Sequence, residues 1–214
     1  MMSIEGRPRD NGDMGRIERD LRAVYGAYAY LRDHDLARRS TTSRALREAD
    51  LARLARRVRD ELAELRGVID GTHGHGHGRD DVVLEAYQSL YWLIVLAVAA
   101  GDTYDDVLSH TALEHGQPSP PAPADPSLAS AEPTAHPALP ARGRGEQSVA
   151  GATELEDLDS ADPMRRRQAI RRGVAQMADL CGRAGVAVAE PIARDLSELR
   201  ARPSLAPYWE AMDA

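Results

Sequence analysis

The chain has 214 residues and a formal net charge of -7, and its 27 basic residues are all arginine. Without lysine it can contain no Walker-type phosphate lysine, no Schiff base and no lysine general base, and the negative charge argues against nucleic-acid binding. A single cysteine, Cys181, allows no intrachain disulfide, which predicts a reducing and therefore cytoplasmic location.

The first part of the chain is predicted to form two helices after a disordered start. Residues 1–13 are charged, contain glycine and proline and have no periodicity, which is typical of disorder. Over residues 14–35 apolar side chains recur at steps of four and three, which predicts a helix. Its apolar face consists of Ile17, Leu21, Val24, Tyr28 and Leu31. Ser43 is the predicted N-cap of a second helix over residues 44–69.

A loop rich in glycine and histidine separates this helix from a third. The four glycines of residues 71–78 favour an irregular backbone. The loop's three histidines, His73, His75 and His77, suit a transition metal, but their pattern is more typical of a flexible low-complexity segment. The third helix, predicted over residues 82–100, has an apolar part shorter than the roughly 18–20 residues that span a bilayer. It is therefore predicted to be buried in a soluble protein, with no membrane partner.

A fourth helix and a linker follow. Thr103 is the predicted cap of a short helix that ends near residue 115. Residues 116–160 are rich in proline and alanine, which predicts a disordered linker that cannot bury enough apolar surface to fold.

The C-terminal part, residues 161–214, is predicted to be a helical hairpin. Asp162 and Pro163 have the residue types of an N-cap and a first helical position, and the two helices are expected over 163–183 and 190–200. Five arginines near the start of the first helix could meet phosphate or an acidic partner, although a solvated face is the commoner role of such a cluster.

Four polar residues suggest a site between the second and third helices. Glu61 and Glu64 share a helix face, as do Glu85 and Gln88, and the short loop returns the third helix beside the second. A carboxylate on an apolar helix such as Glu85 is costly unless it is paired or binds a metal. Hard divalent cations prefer oxygen ligands. The alternatives are a solvated salt-bridging face for the first pair and a buried arginine partner for Glu85.

The four residues have the spacing Glu61-x-x-Glu64, then twenty residues, then Glu85-x-x-Gln88. This pattern resembles the E-x-x-E…E-x-x-D signature of MazG-like, all-α nucleotide pyrophosphohydrolases. That superfamily includes phosphoribosyl-ATP pyrophosphohydrolase and the all-α dUTPases. The neighbouring residues are similar too, since Arg57-Val58-Arg59-Asp60 precedes the first pair as in the family's acidic helix.

Two later segments extend the resemblance. Residues 85–93 are similar to the family's E-A-A-D-L-L-Y-H-L segment, and residues 101–107 are similar to its glycine-containing start of the fourth helix. The resemblance covers residues 14–115 and implies a MazG-like four-helix bundle. We also expect a homo-oligomer, because four helices with this much apolar surface need a partner to bury it and because the family generally forms dimers or larger assemblies.

The resemblance implies a mechanism as well. Glu61, Glu64, Glu85 and Gln88 would coordinate Mg²⁺, which orients a nucleoside triphosphate and lowers the pKa of the attacking water. Glu64 would orient or deprotonate that water, and cleavage between the α- and β-phosphates would give a nucleoside monophosphate and pyrophosphate. Tyr87, Tyr91 and Trp92 could line the nucleotide pocket, although aromatic residues at this spacing are more often core.

Gln88 departs from the family pattern, which has aspartate at this position. An amide oxygen can bind a cation but contributes no charge, so the change should weaken Mg²⁺ binding. Asp81, one helical turn before Glu85, could substitute for the missing carboxylate. The alternative function is a catalytically decayed helical module that acts in protein interaction or regulation.

Overall fold

A computed structural model of the protein describes residues 11–34, 36–74, 76–108 and 155–214, with side chains from residue 14 onward. These residues form eight α-helices and two 3-10 helices and contain no strand, which confirms the predicted all-α class. The α-helices are α1 (Asn11–Asp33), α2 (Thr41–Glu48), α3 (Leu51–Ile69), α4 (Arg79–Ala99), α5 (Tyr104–Val107), α6 (Pro163–Arg183), α7 (Ala189–Arg200) and α8 (Ala206–Met212). The 3-10 helices are Glu156–Asp159 and Pro203–Leu205.

The central element is α4, which contacts α1, α2, α3, α6 and α7. From Leu90 to Ala99 its sequence is apolar on every side, as expected of a helix that other helices surround. By length and composition alone α4 could cross a membrane, but 61% of its most apolar window is buried inside the fold. This burial confirms the predicted buried helix and is compatible with a soluble protein.

The predicted continuous helix over residues 44–69 is wrong, because two helices, α2 and α3, occupy this range. Ala49 has a left-handed backbone with φ 48°, which cannot continue a right-handed helix. The Asp50 carboxylate then accepts a hydrogen bond from the N–H of Arg53 at 3.0 Å and caps the new helix.

The first predicted apolar face is confirmed, since all five of its members are buried. The predicted cap at Ser43 is wrong. Ser40 caps α2, and its hydroxyl accepts a hydrogen bond from the N–H of Ser43 at 3.1 Å. Ser43 lies inside α2, where its own hydroxyl donates to the carbonyl oxygen of Leu31 at 2.6 Å. That bond joins α2 to the end of α1.

Thr103 caps α5, as predicted. Its hydroxyl accepts from the N–H of Asp106, and the Asp106 carboxylate accepts from the N–H of Thr103. Residues 109–154 lie outside the described residues. They include the rest of the predicted fourth helix and most of the predicted linker. Most of the predicted disordered start also lies outside the described residues. The last part of the predicted linker range packs against the fold, because Leu155 and Leu158 are buried.

The two predicted C-terminal helices are present, and each makes its main contacts with other helices. The Asp162 carboxylate caps α6, as predicted, by accepting from the N–H of Met164 at 2.9 Å. α6 packs on α3 and α4, whereas α7 packs on α1 and α4. Gly173 permits close packing of α6 on α4, since a Cβ there would lie 2.7 Å from Leu93 Cδ2. The C-terminal helices therefore complete the core around α4.

The start of α6 is held by a buried ion-pair network. Asp102, which is 4% exposed, accepts hydrogen bonds from Arg166 Nε at 3.2 Å and Arg167 Nε at 2.7 Å. Its carbonyl oxygen accepts from the Tyr25 hydroxyl at 2.6 Å. Arg166 is 6% exposed, so a solvated face is the wrong interpretation for this member of the arginine cluster.

The apolar surface of the helices is largely covered within the chain. Among the described residues the exposed large hydrophobic side chains are Met164 and Met212. The predicted homo-oligomer stays a prediction, which rests on the family resemblance.

Candidate metal centre

The loop between α3 and α4 folds back onto the last turn of α3. The N–H groups of Thr72 and His73 both donate to the carbonyl oxygen of Gly67, at 2.8 and 3.0 Å. A Cβ at Gly67 would lie 2.9 Å from the Cβ of His73, a distance that real Cβ contacts do not reach. The glycine therefore permits the return, and the backbone of His73 is fixed against α3.

The structure brings Glu64, His73 and Glu85 together. One ligand atom of each lies within 4.8 Å of the other two, and His73 Nε2 is 3.9 Å from Glu64 Oε2. The side chains of Glu64 and His73 are 42% and 40% exposed, whereas Glu85 is 1% exposed. We call these three residues the ligand group; it has one buried member and two members that water can reach.

Glu61 lies beside the ligand group but is already paired. It is 1% exposed, and its Oε1 accepts a hydrogen bond from Arg57 Nη2 at 2.6 Å. Burial raises the pKa of Glu61, and the charges of Glu64 and Glu85 add to that shift, whereas the Arg57 charge and a hydrogen bond with the Trp92 side chain oppose it. Glu61 Oε2 is buried and has no hydrogen-bond partner within the part of the chain that the structure describes.

The other predicted ligands have different surroundings. Gln88 follows Glu85 by one helical turn and is half-buried. Asp81 is buried, and its Oδ2 accepts a hydrogen bond from the N–H of His77 at 3.1 Å, which holds the end of the loop against the start of α4. Of the four predicted ligands, Glu64 and Glu85 thus come together, Glu61 lies beside them, and His73 joins them from a loop that we predicted to be flexible.

The aromatic residues of α4 are used in packing. The Tyr91 ring lies edge-on to the rings of Tyr28 and Trp92, with centroids 5.5 and 4.8 Å apart. The guanidinium of Arg194 lies 5.6 Å from the centre of the Tyr87 ring. These contacts favour the core interpretation over a nucleotide pocket.

Asp195 is a buried titratable residue that the sequence analysis did not single out. It is 0% exposed, and its Oδ1 accepts a hydrogen bond from the Tyr28 hydroxyl at 2.6 Å. Its Oδ2 is buried without a hydrogen-bond partner among the described residues. Burial raises the pKa of Asp195 to about 7, although Tyr28 and Arg202 act in the opposite direction. The sequence does contain a sign that Asp195 is buried. It follows Ile192 by three residues and therefore lies on the apolar face of α7.

An open surface cavity of about 870 Å³ has His73 in its wall, whereas Glu64 and Glu85 do not line it. Small-molecule sites typically have volumes of about 300–1,000 Å³. The loop, the end of α3 and the start of α4 line most of it, together with Arg79 and Arg183. Arg79 forms a bidentate ion pair with Glu190, at 2.6 and 2.7 Å, which links the cavity edge to α7.

The ligand group fits a divalent cation by its donor chemistry. Two carboxylates supply negative charge, and the buried Glu61 adds a third nearby. Mg²⁺ is usually bound by oxygen ligands and water, whereas an imidazole nitrogen suits transition-metal ions such as Fe²⁺ and Zn²⁺ better. The carboxylates alone fit the predicted Mg²⁺, and the complete group fits a transition-metal ion.

Comparison of the chain with protein-family models, with curated proteins and with solved structures finds no match in any of the three. The MazG-like resemblance therefore rests on the residues of its motif, and what it implies stays a prediction. The geometry of the ligand group is independent of that resemblance.

Proposed function

We propose that this protein is a divalent-cation-dependent nucleotide pyrophosphohydrolase, which cleaves a nucleoside triphosphate to a monophosphate and pyrophosphate. The observation that carries the proposal is the approach of Glu64 on α3 to Glu85 on α4, next to an open cavity of about 870 Å³. The MazG-like motif supports the same function, since Glu64 and Glu85 are two of its four residues and come from its two different helices.

Glu64 and Glu85 would hold the cation. When bound, a divalent cation neutralises phosphate charge and lowers the pKa of a coordinated water. The half-exposed Glu64 can accept a proton from the attacking water, whereas the buried Glu85 is suited to fix geometry. Water adds to the α-phosphorus, the bond to the bridging oxygen breaks, and that oxygen leaves with pyrophosphate.

Pyrophosphate release from a panel of nucleoside triphosphates, with Mg²⁺ and then with Mn²⁺, tests the proposal. Loss of a general base typically costs about 10²–10⁴-fold in rate, so Glu64→Gln should fall by at least about 100-fold, and Glu85→Gln should also lose activity. Glu210→Gln is the matched control, because Glu210 is an exposed glutamate on α8. An inert wild type, with every nucleotide and both metals, would contradict the proposal.

A catalytically decayed helical module is the second candidate. Two observations favour it: Gln88 stands where the motif has aspartate, and Arg57 already neutralises Glu61 at 2.6 Å. The Gln88→Asp variant separates the candidates. If wild type is inert and the variant releases pyrophosphate, the fold is that of a decayed enzyme; if both are inert, only the interaction module remains.

A further inference from the structure

His73 is the one member of the ligand group that comes from the loop, and the structure holds it in place. Its N–H donates to the carbonyl oxygen of Gly67 at 3.0 Å, and its Cβ occupies space that a side chain at Gly67 would fill. The imidazole therefore projects from an anchored backbone next to α3. Gly71, with φ 72°, makes this return an ordinary helix C-cap, and the cap places His73 beside α3.

The imidazole lies where a cation held by Glu64 and Glu85 would meet it. Its Nε2 is 3.9 Å from Glu64 Oε2, and the ligand atoms of all three residues lie within 4.8 Å of one another. Two atoms that bind the same ion at about 2.0–2.2 Å each cannot be more than about 4.4 Å apart, so a small movement of half-exposed side chains completes the contact. Both Glu64 and His73 have the exposure to make that movement.

A second observation is the buried carboxylate of Glu61, which lies near enough to Glu64 and Glu85 for their charges to act on it. Glu61 is 1% exposed, and its Oε2 is buried with no hydrogen-bond partner among the described residues. Arg57 compensates only the other oxygen of this carboxylate, Oε1, to which it donates a hydrogen bond. Buried anionic oxygen atoms are costly unless a cation or hydrogen bonds compensate them, so a cation beside Glu61 would lower this cost.

We propose that His73 is the third protein ligand of the metal centre and that it makes the centre prefer a transition-metal ion of the Mn²⁺-to-Zn²⁺ series over Mg²⁺. Gly67 acts as a positioning residue, since it lets the loop approach α3 closely enough to present the imidazole. This inference rests on the proposed function for its biological meaning, because both use Glu64 and Glu85. It differs from the Mg²⁺ site implied by the motif, in which every ligand atom is oxygen.

The test uses the untagged full-length chain and Mn²⁺ alone as the probe. Calorimetric titration measures the affinity, and pulsed electron paramagnetic resonance detects a histidine nitrogen bound to Mn²⁺. The key variant is His73→Gln, and His77→Gln is the matched control, since His77 belongs to the same loop and is exposed. Circular dichroism verifies the helical content of each variant.

We expect wild type to bind Mn²⁺ with a nitrogen signal and more tightly than it binds Mg²⁺. Outer-sphere partners of metal ligands typically contribute about 10- to 100-fold to affinity, and a direct ligand should contribute no less. His73→Gln should therefore lose at least about 10-fold in Mn²⁺ affinity together with the nitrogen signal, whereas His77→Gln should keep both. Gly67→Ala should weaken Mn²⁺ binding while His73 is still present.

Each contrary result has a distinct meaning. Three results would overturn the assignment of His73 as a ligand. They are Mn²⁺ binding without a nitrogen signal, no Mn²⁺ binding at all, and a nitrogen signal that persists in His73→Gln. If the signal and its loss are as expected but no nucleotide is cleaved, the proposed function fails and the ligand assignment stands. If nucleotides are cleaved with Mg²⁺ and His73→Gln changes neither metal binding nor rate, the function stands and His73 is not a ligand.

Discussion

Asp195 gives the sharpest test of the structure, through the effect of pH on stability. Its carboxyl group is fully buried between α7 and α1, with the Tyr28 hydroxyl on one oxygen at 2.6 Å. The pKa of Asp195 is about 7 in the folded protein, against an ordinary value of 3.8. Between these two values the folded protein keeps a proton that the unfolded chain has released. The free energy of unfolding therefore falls as the pH rises from about 4 to about 7.

The size of the effect follows from the two pKa values. Each tenfold difference in proton affinity is worth about 1.4 kcal/mol, so a pKa of about 7 against 3.8 costs the folded state up to about 4 kcal/mol once the group is ionised. The cost is absent below the unfolded pKa and complete above the folded one. About 2–3 kcal/mol of it should develop between pH 5 and pH 8.

The perturbation is Asp195→Asn, which cannot ionise but still offers an oxygen to Tyr28. Its amide N–H₂ replaces the oxygen that has no partner, and an unsatisfied buried donor costs about 1–3 kcal/mol. We therefore expect the variant to be no more stable than wild type near pH 5 and more stable near pH 8. The difference between the two proteins should change by about 2–3 kcal/mol over that range.

Urea denaturation at four pH values between about 5 and 8 measures this difference, because a shared pH dependence of the other groups cancels in it. Asp179→Asn is the matched control, since Asp179 is an exposed aspartate on α6, and its difference from wild type should stay flat with pH. A difference between wild type and Asp195→Asn that is constant with pH would refute the reasoning.

Three further predictions concern the packing around α4. Replacement of Asp102 by alanine leaves Arg166 buried without its carboxylate and should lower stability by about 3–5 kcal/mol in urea denaturation. Gly173→Ala puts a methyl group 2.7 Å from a leucine of α4 and should cost about 1–3 kcal/mol, seen as a lower melting temperature in calorimetry. Arg57→Met removes the cation beside Glu61 and raises the pKa of that carboxyl further. Its stability loss should therefore be larger near pH 8 than near pH 5, and an equal loss at both would contradict the pairing.

The candidate site was predictable in part. Glu64 and Glu85 follow from their helix periodicity and from a loop too short to separate their helices. The alternating glycines and histidines predict a flexible loop rather than a metal site, because such a run carries no sign of the Gly67 carbonyl that fixes His73. Glu61 and Glu64 lie on the same face of α3, so helix periodicity does not distinguish them. Only packing decides that Glu61 is buried beside Arg57 while Glu64 is half exposed.

The sequence by itself determined the helical class, the apolar face of α1, the capped starts of α5 and α6 and the burial of α4. These features depend on residues within one or two turns of each other, so the local pattern contains the necessary information. The tertiary structure decided that α6 and α7 pack on different neighbours of α4, that Asp195 is buried against Tyr28, and that His73 meets Glu64 and Glu85. These features depend on distances between residues far apart in the chain, which are set by how side chains fill the core and by which buried charges find partners.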